Sequence, residues 1–253
     1  MAAALALAPG SDTLSTNHFQ NPNMPLHGHV FTAPRGVRGF DANVTITADI
    51  ASAFSAHGYR FCVRYIRRQK QHEQDLTADE ANTILDAGLA FMAVQHVESE
   101  ESWLPTADKG ALNGEAAADH ATTVGIPSGV TVWCDLEGVA PGTSAQDVID
   151  YCNQWHSVVA GAGFVPGLYV GFQCGLNPNQ LYQSLRYTHY WASYNLNADE
   201  APAVRGVQMR QSARKPLDQV PGFDFAFQTD RISGDKLGGV PTLAGPDGWD
   251  ELL

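Results

Sequence analysis

Asp135 and Glu137, in the run VTVWCDLEG at 130–138, are the two residues of this sequence best placed to do chemistry together. Side chains alternate along a β-strand, so residues two apart face the same way with Cα atoms about 6.5 Å apart. Two carboxyls held close in a partly apolar cleft do not ionise alike. Repulsion and desolvation raise one pKa, leaving one group as an acid and its neighbour as a charge. Hydrolysis of a glycosidic bond demands that division of labour. Two further carboxylates, Asp41 and Asp230, follow other apolar runs. Together the four also have the oxygen-rich composition that Mg²⁺ or Ca²⁺ prefers, which keeps a metal-dependent hydrolase as an alternative chemistry. His57 and His96 are too scattered for zinc, and no metal or other cofactor is expected. Tyr65, Trp103, Tyr169 and Tyr194 lie in or near the same strand ends, where flat rings suit the apolar faces of sugars. Arg64, His96 and Gln208 would add polar contacts to a bound substrate.

These residues need a scaffold that brings distant strand ends to one place. Short apolar runs at 37–40, 60–66, 90–97, 130–136, 166–171, 188–193, 206–210 and 223–228 read as eight strands, several apolar almost throughout, as burial on both faces requires. Segments of helical period separate them: 47–57 before Gly58, then the run opened by Thr77-Ala-Asp-Glu80 and ended by Gly88. Helices over 114–124, from Ser144 to Gly161, and over 179–185 follow. The connection at 197–204 contains Pro202 and supports one helical turn at most. Alternating strand and helix signals in this number predict an α/β fold, a (β/α)8 TIM-type barrel over 37–253, irregular in its last third. Residues 1–36 have no period and read as an irregular N-terminal arm. A dinucleotide-binding sheet is the main structural rival, but Gly39-Phe40-Asp41-Ala42-Asn43 puts a carboxylate where that fold has a glycine-rich phosphate loop.

Composition narrows the partners. A net charge of −12 argues against nucleic acid as a partner, since a phosphate backbone is bound by clustered Lys and Arg. The basic run of Arg67, Arg68 and Lys70 reads as a solvated loop. Cys62, Cys134, Cys152 and Cys174 show no C-x-x-C spacing and read as free thiols. The opening MAAALALAPG lacks the basic start of a secretory leader, and no apolar run is long enough to span a membrane. The cellular location is therefore not set by a recognisable address, and passage out of the cell would need a non-classical route.

The segments Gly39-Phe40-Asp41, GYRFCVRYI (58–66), LTADEANTILDAGLAF (76–91), TVWCDLE (131–137), PGLYVG (166–171) and YWASYN (190–195) resemble a bacterial glycoside-hydrolase-like barrel family, itself a relative of the family-25 lysozymes. The resemblance spans roughly 37–240. It implies a muramidase-type activity on the β-1,4 bond of peptidoglycan, with Glu137 as general acid. Asp135 would then stabilise positive charge, orient the substrate's N-acetyl group, or attack directly. Asp41 matches the carboxylate after the first strand, and Asp230 the one near the last, with Asp224 and Asp235 as rivals for that place. The tyrosine-histidine that such lysozymes carry after the third strand is here Gln95-His96, and no wall-binding repeat is present. A non-catalytic carbohydrate-binding or scaffold barrel is the alternative that the same resemblance allows.

Overall fold

The computed structural model describes residues 26–99, 101–196, 206–213, 219–235 and 238–253. Eight strands close into a ring: β2 (Arg38–Ala42), β3 (Phe61–Ile66), β4 (Ala90–Gln95), β5 (Thr131–Leu136), β6 (Val165–Val170), β7 (His189–Ala192), β8 (Met209–Ser212) and β9 (Gln228–Ile232), the last pairing back onto β2. Helices α1 (Ala48–Ala56), α2 (Ala78–Asp86), α3 (Ala107–Val124), α4 (Ala145–Gly161) and α5 (Pro178–Gln183) alternate with the strands. The (β/α)8-type barrel read from the sequence is the observed fold.

Its last third departs from the regular pattern. Strands β2 to β8 run parallel, whereas β9 is antiparallel to both β8 and β2. The strand expected at 223–228 is not there; only Gln228 belongs to β9. The alternation of Phe223, Phe225 and Phe227 has another cause. Phe225 and Phe227 pack on Phe54 of α1 at 5.8 and 5.0 Å, so period two here marks an aromatic cluster over a helix. The strand expected at 206–210 lies three residues later, as β8. The helical turn considered at 197–204 falls outside the described residues.

Two strands were not expected. Within the region read as an irregular arm, β1 (His29–Thr32) pairs antiparallel with β10 (Thr242–Gly245), and β10 touches β4 through Ala244 and Phe91. With Trp249, whose indole N–H donates to Arg60 O at 2.8 Å, they cover the N-terminal end of the barrel. That leaves the C-terminal ends of the parallel strands as the end available for function.

The helices follow local signals. Thr47, Thr77, Thr106 and Ser144 each accept a backbone N–H in the first turn of α1, α2, α3 and α4. Helix α3 starts seven residues before the expected 114, because Thr106 caps it and its glycines serve packing. A Cβ on Gly110 would lie 2.2 Å from Tyr151 O of α4, so the two helices touch backbone to backbone. The four cysteines are free and buried.

Only half of the capping box at Thr77 forms. Glu80 turns inward instead: its Oε1 accepts from Arg64 Nε at 2.6 Å and from Ile46 N at 2.8 Å. Arg64 also donates to Ala42 O and Gln74 O. This fully buried pair lies between barrel and helices and ties β3 to α2 and to the loop before α1. Replacing Glu80 by Gln strands a buried guanidinium, at a cost of about 3–5 kcal/mol. The urea midpoint of Glu80→Gln should fall accordingly; an unchanged midpoint would show that the pair does not fasten these elements.

Candidate active site

Alternation decides which side chains enter the barrel. On β2, Phe40 and Ala42 face the helices, so Gly39 and Asp41 face inward. On β3 the inward set is Phe61, Val63 and Tyr65; on β5 it is Trp133 and Asp135, with Glu137 one step beyond the strand end. Tyr169 of β6, Trp191 of β7, Gln211 of β8 and Asp230 of β9 complete the interior near the C-terminal end.

Hydrogen bonds line this space. Trp191 Nε1 donates to Asp230 Oδ1 at 2.9 Å, and the Asp230 carboxyl lies close to that of Asp41. Gln211 Nε2 donates to Asp41 Oδ2 at 2.9 Å, and its Oε1 accepts from the Tyr169 hydroxyl at 3.2 Å. Burial pushes Asp41 up to about 6, against the pull of the Gln211 hydrogen bond. Burial, then the neighbouring Asp41 charge, hold Asp230 well above the usual carboxylate range. Both carboxyls therefore hold a proton more readily than an exposed aspartate does.

Asp135 and Glu137 stand across the mouth from this pair. The hydroxyl of Tyr65 is raised first by burial and then by the charges of Asp41, Asp135, Glu137 and Asp230. Tyr169 is raised by burial and by Glu137, Asp135 and Asp41. All four sequence-selected carboxyls thus lie near Tyr65, and three of them, Glu137, Asp135 and Asp41, near Tyr169; both tyrosines stay protonated as neutral donors. Asp135 is buried and Glu137 partly exposed, one step nearer solvent. Glu137 fits only because residue 171 is glycine: a Cβ there would lie 2.3 Å from Glu137 Oε2 and 2.5 Å from its Cβ. Gly138 follows with φ +62, a left-handed turn that suits glycine.

His96 also reaches this end. Its ring stacks on Tyr65 at 4.8 Å, and Nε2 lies 2.7 Å from Oδ1 of the buried Asp75. Burial lowers its pKa, with Asp75 opposing. Tyr194, past the end of β7, is exposed.

Three residues selected as substrate contacts do not line the mouth. Arg64 is spent on Glu80 in the outer layer. Gln208 is buried on the outer face, where its Oε1 accepts from Tyr190 N at 2.7 Å. Gln208, taken as a strand-end residue, precedes β8 and has the opposite facing to Met209; Gln211, missed in the sequence, is the inward residue. Trp103 is buried and donates its indole N–H to Glu137 O at 2.6 Å. It holds the backbone of the acid and offers no free face. Asp75 and Gly171 were also missed, and neither carries a local signal. Among the described residues no group of three or more His, Cys, Asp or Glu side chains is arranged to hold a metal ion, and no helix is long and apolar enough to cross a membrane.

Solved structures share this architecture. The Mycobacterium tuberculosis Tat-secreted protein Rv2525c, crystallised with L-tartrate, superposes with a TM-score of 0.59 at 16% identity, covering 81% of this chain and 99% of that one. A bacterial lysozyme from Streptomyces coelicolor gives 0.52 at 14% identity, covering 81% and 95%. A family 25 glycosyl hydrolase from Bacillus anthracis gives 0.52 at 12%, covering 85% and 96%. At such identities the likeness is one of fold. The comparison with curated proteins returned no match. The family model for the Rv2525c-like, glycoside hydrolase-like domain matches residues 52–220, well over half of the chain, and the protein belongs to that family, whose barrel is shared with the lysozymes.

Proposed function

We propose that the protein is a glycoside hydrolase acting on the β-1,4 bonds of peptidoglycan. The observation that carries this reading is the gathering of Asp41, Asp135, Glu137 and Asp230 at one end of the barrel around Tyr65, with Glu137 the most solvent-accessible of the carboxyls that face inward. Glu137 gives a proton to the leaving glycosidic oxygen. Asp135, one pleat deeper, opposes the positive charge that develops at the anomeric carbon, directly or through a substrate acetamido group. The Asp41–Asp230 pair holds a single negative charge beneath the site. Asp230 is fully buried and acts through Asp41, without touching sugar. Tyr65, Tyr169 and His96 supply neutral hydrogen-bonding groups around the bond. The related folds of a lysozyme and a family 25 hydrolase support the choice of substrate, and the Tat-secreted neighbour supports action outside the cytoplasmic membrane.

Loss of the acid is the direct test. Glu137→Gln should lower the release of reducing ends from purified cell wall by about 10²–10⁴-fold with its thermal midpoint unchanged. Wild-type protein that releases none, or a variant as active as wild type, sinks the proposal; glycan binding without turnover would favour a carbohydrate-binding barrel instead.

Gly171→Ala should retain the native circular dichroism spectrum yet lose most of its activity, since the added methyl displaces the Glu137 side chain. Full activity would mean that Glu137 does not work from this position.

The buried pair sets a pH dependence. Folded-state pKa values raised above the ordinary 3.8 make stability greatest below about pH 4, and it is lost as pH rises through about 6 for Asp41 and higher for Asp230. Asn at 230 can accept from Trp191 and donate to Asp41 without carrying a titrating proton. Asp230→Asn should therefore flatten the fall of melting temperature between about pH 5 and 8 and be the more stable protein at the upper end. Parallel curves for the two proteins would show that the pair does not share a proton.

A further inference from the structure

The aromatic rings nearest the carboxyls have little free face, since Tyr169 and Trp103 are buried and Tyr65 lies against His96. Two large apolar side chains at the same rim are exposed instead: Phe172, 42% accessible, and Tyr194, 52%. Phe172 directly follows Gly171, the residue against which the Glu137 side chain packs. Its turn is fastened to the chain just beyond the acid: Gly138 N donates to Phe172 O and Val139 N to Gln173 O, both at 2.9 Å. Tyr194 leaves the adjacent strand, where Ser193 N donates to Val170 O at 3.1 Å. Gln173 has φ +56, and among the described residues it is the non-glycine residue with left-handed backbone. That conformation costs free energy. Here it goes with a phenyl ring that the fold leaves in water and fixes to the backbone of the acid, an arrangement that contributes little to folding.

We infer that Phe172, with Tyr194 beside it on the next strand, is the platform on which a pyranose ring stacks next to the bond presented to Glu137. This rests on the carbohydrate reading above but not on turnover. A phenyl ring has no hydrogen-bonding edge, so it selects by shape. It takes a β-linked sugar whose hydroxyls are all equatorial and whose axial C–H bonds make an apolar face, as in a glucosamine-type residue. A sugar with an axial 4-hydroxyl turns a polar group onto the ring and is disfavoured.

The test is binding of peptide-free, soluble glycan strands of alternating N-acetylglucosamine and N-acetylmuramic acid, measured by titration calorimetry in a Glu137→Gln background so that nothing is cleaved. Adding Phe172→Ala should weaken binding about tenfold, and Phe172→Trp should retain it, with thermal midpoints unchanged because the side chain is exposed. Binding by Phe172→Ala within twofold of the parent, or no binding by the parent, overturns the platform. If the parent binds and Phe172→Ala does not, while wild-type protein releases no reducing ends from cell wall, the hydrolase reading falls and the platform stands.

Discussion

The carboxyls of Asp41 on β2 and Asp230 on β9 lie close together in space from which water has been removed. Two ionised carboxylates there would face each other in a medium that screens them poorly, and a proton held by the pair relieves this. The neighbours suit an acidic pair. Trp191 and Gln211 donate to it, Tyr169 orients Gln211, and burial, reinforced by the nearby carboxylates, keeps both tyrosine hydroxyls protonated. Four acidic groups thereby share one end of an aromatic interior, yet each has a distinct depth. Asp230 is fully enclosed, Asp41 and Asp135 nearly so, and Glu137 meets solvent.

Polar residues at strand ends have two fates, set by alternation alone. Facing inward, they join this network. Facing outward, they meet helices and loops whose backbone groups need partners. Arg64 serves Ala42 O and Gln74 O, while Gln95 serves Asn113 O and accepts from the indole N–H of Trp155 at 2.7 Å. The outer residues do for the shell what the inner ones do for the site. A polar residue near a strand end is thus no sign of chemistry until the strand's register is known.

This explains what could be read in advance. Asp135 and Glu137 were legible because Trp133, Asp135 and Glu137 share one parity, and β5 lies within one residue of its expected bounds. Gln208 and Gln211 were not, since the run read as ending at Arg210 continues to Ser212, which puts Gln211 and not Gln208 at the functional end. Four of the five helices were legible to within two residues because their caps and closing signals are local. The first two turns of α3 were not, because Gly110 and Gly114 are poor helix formers kept for contact with α4. The Asp41–Asp230 pair joins residues 189 positions apart, and no local pattern announces such a pairing.

The reversed β9 decides how deep the last carboxylate lies. In a parallel strand the final residues face the functional end, whereas in this antiparallel strand the first ones do. Gln228, which opens β9, stands opposite Asp41, and Asp230 stands opposite Gly39, one inward step further from the mouth. The Phe61 ring fills the space in front of Gly39, where a Cβ would lie 2.3 Å from it, and Asp230 is fully buried at this level. A carboxyl placed there lies below the mouth, however well its position in the chain corresponds to the last acidic residue of a lysozyme-type site. Any influence it has on the mouth passes through Asp41, so the antiparallel closure sets the fourth sequence-selected carboxyl behind the first.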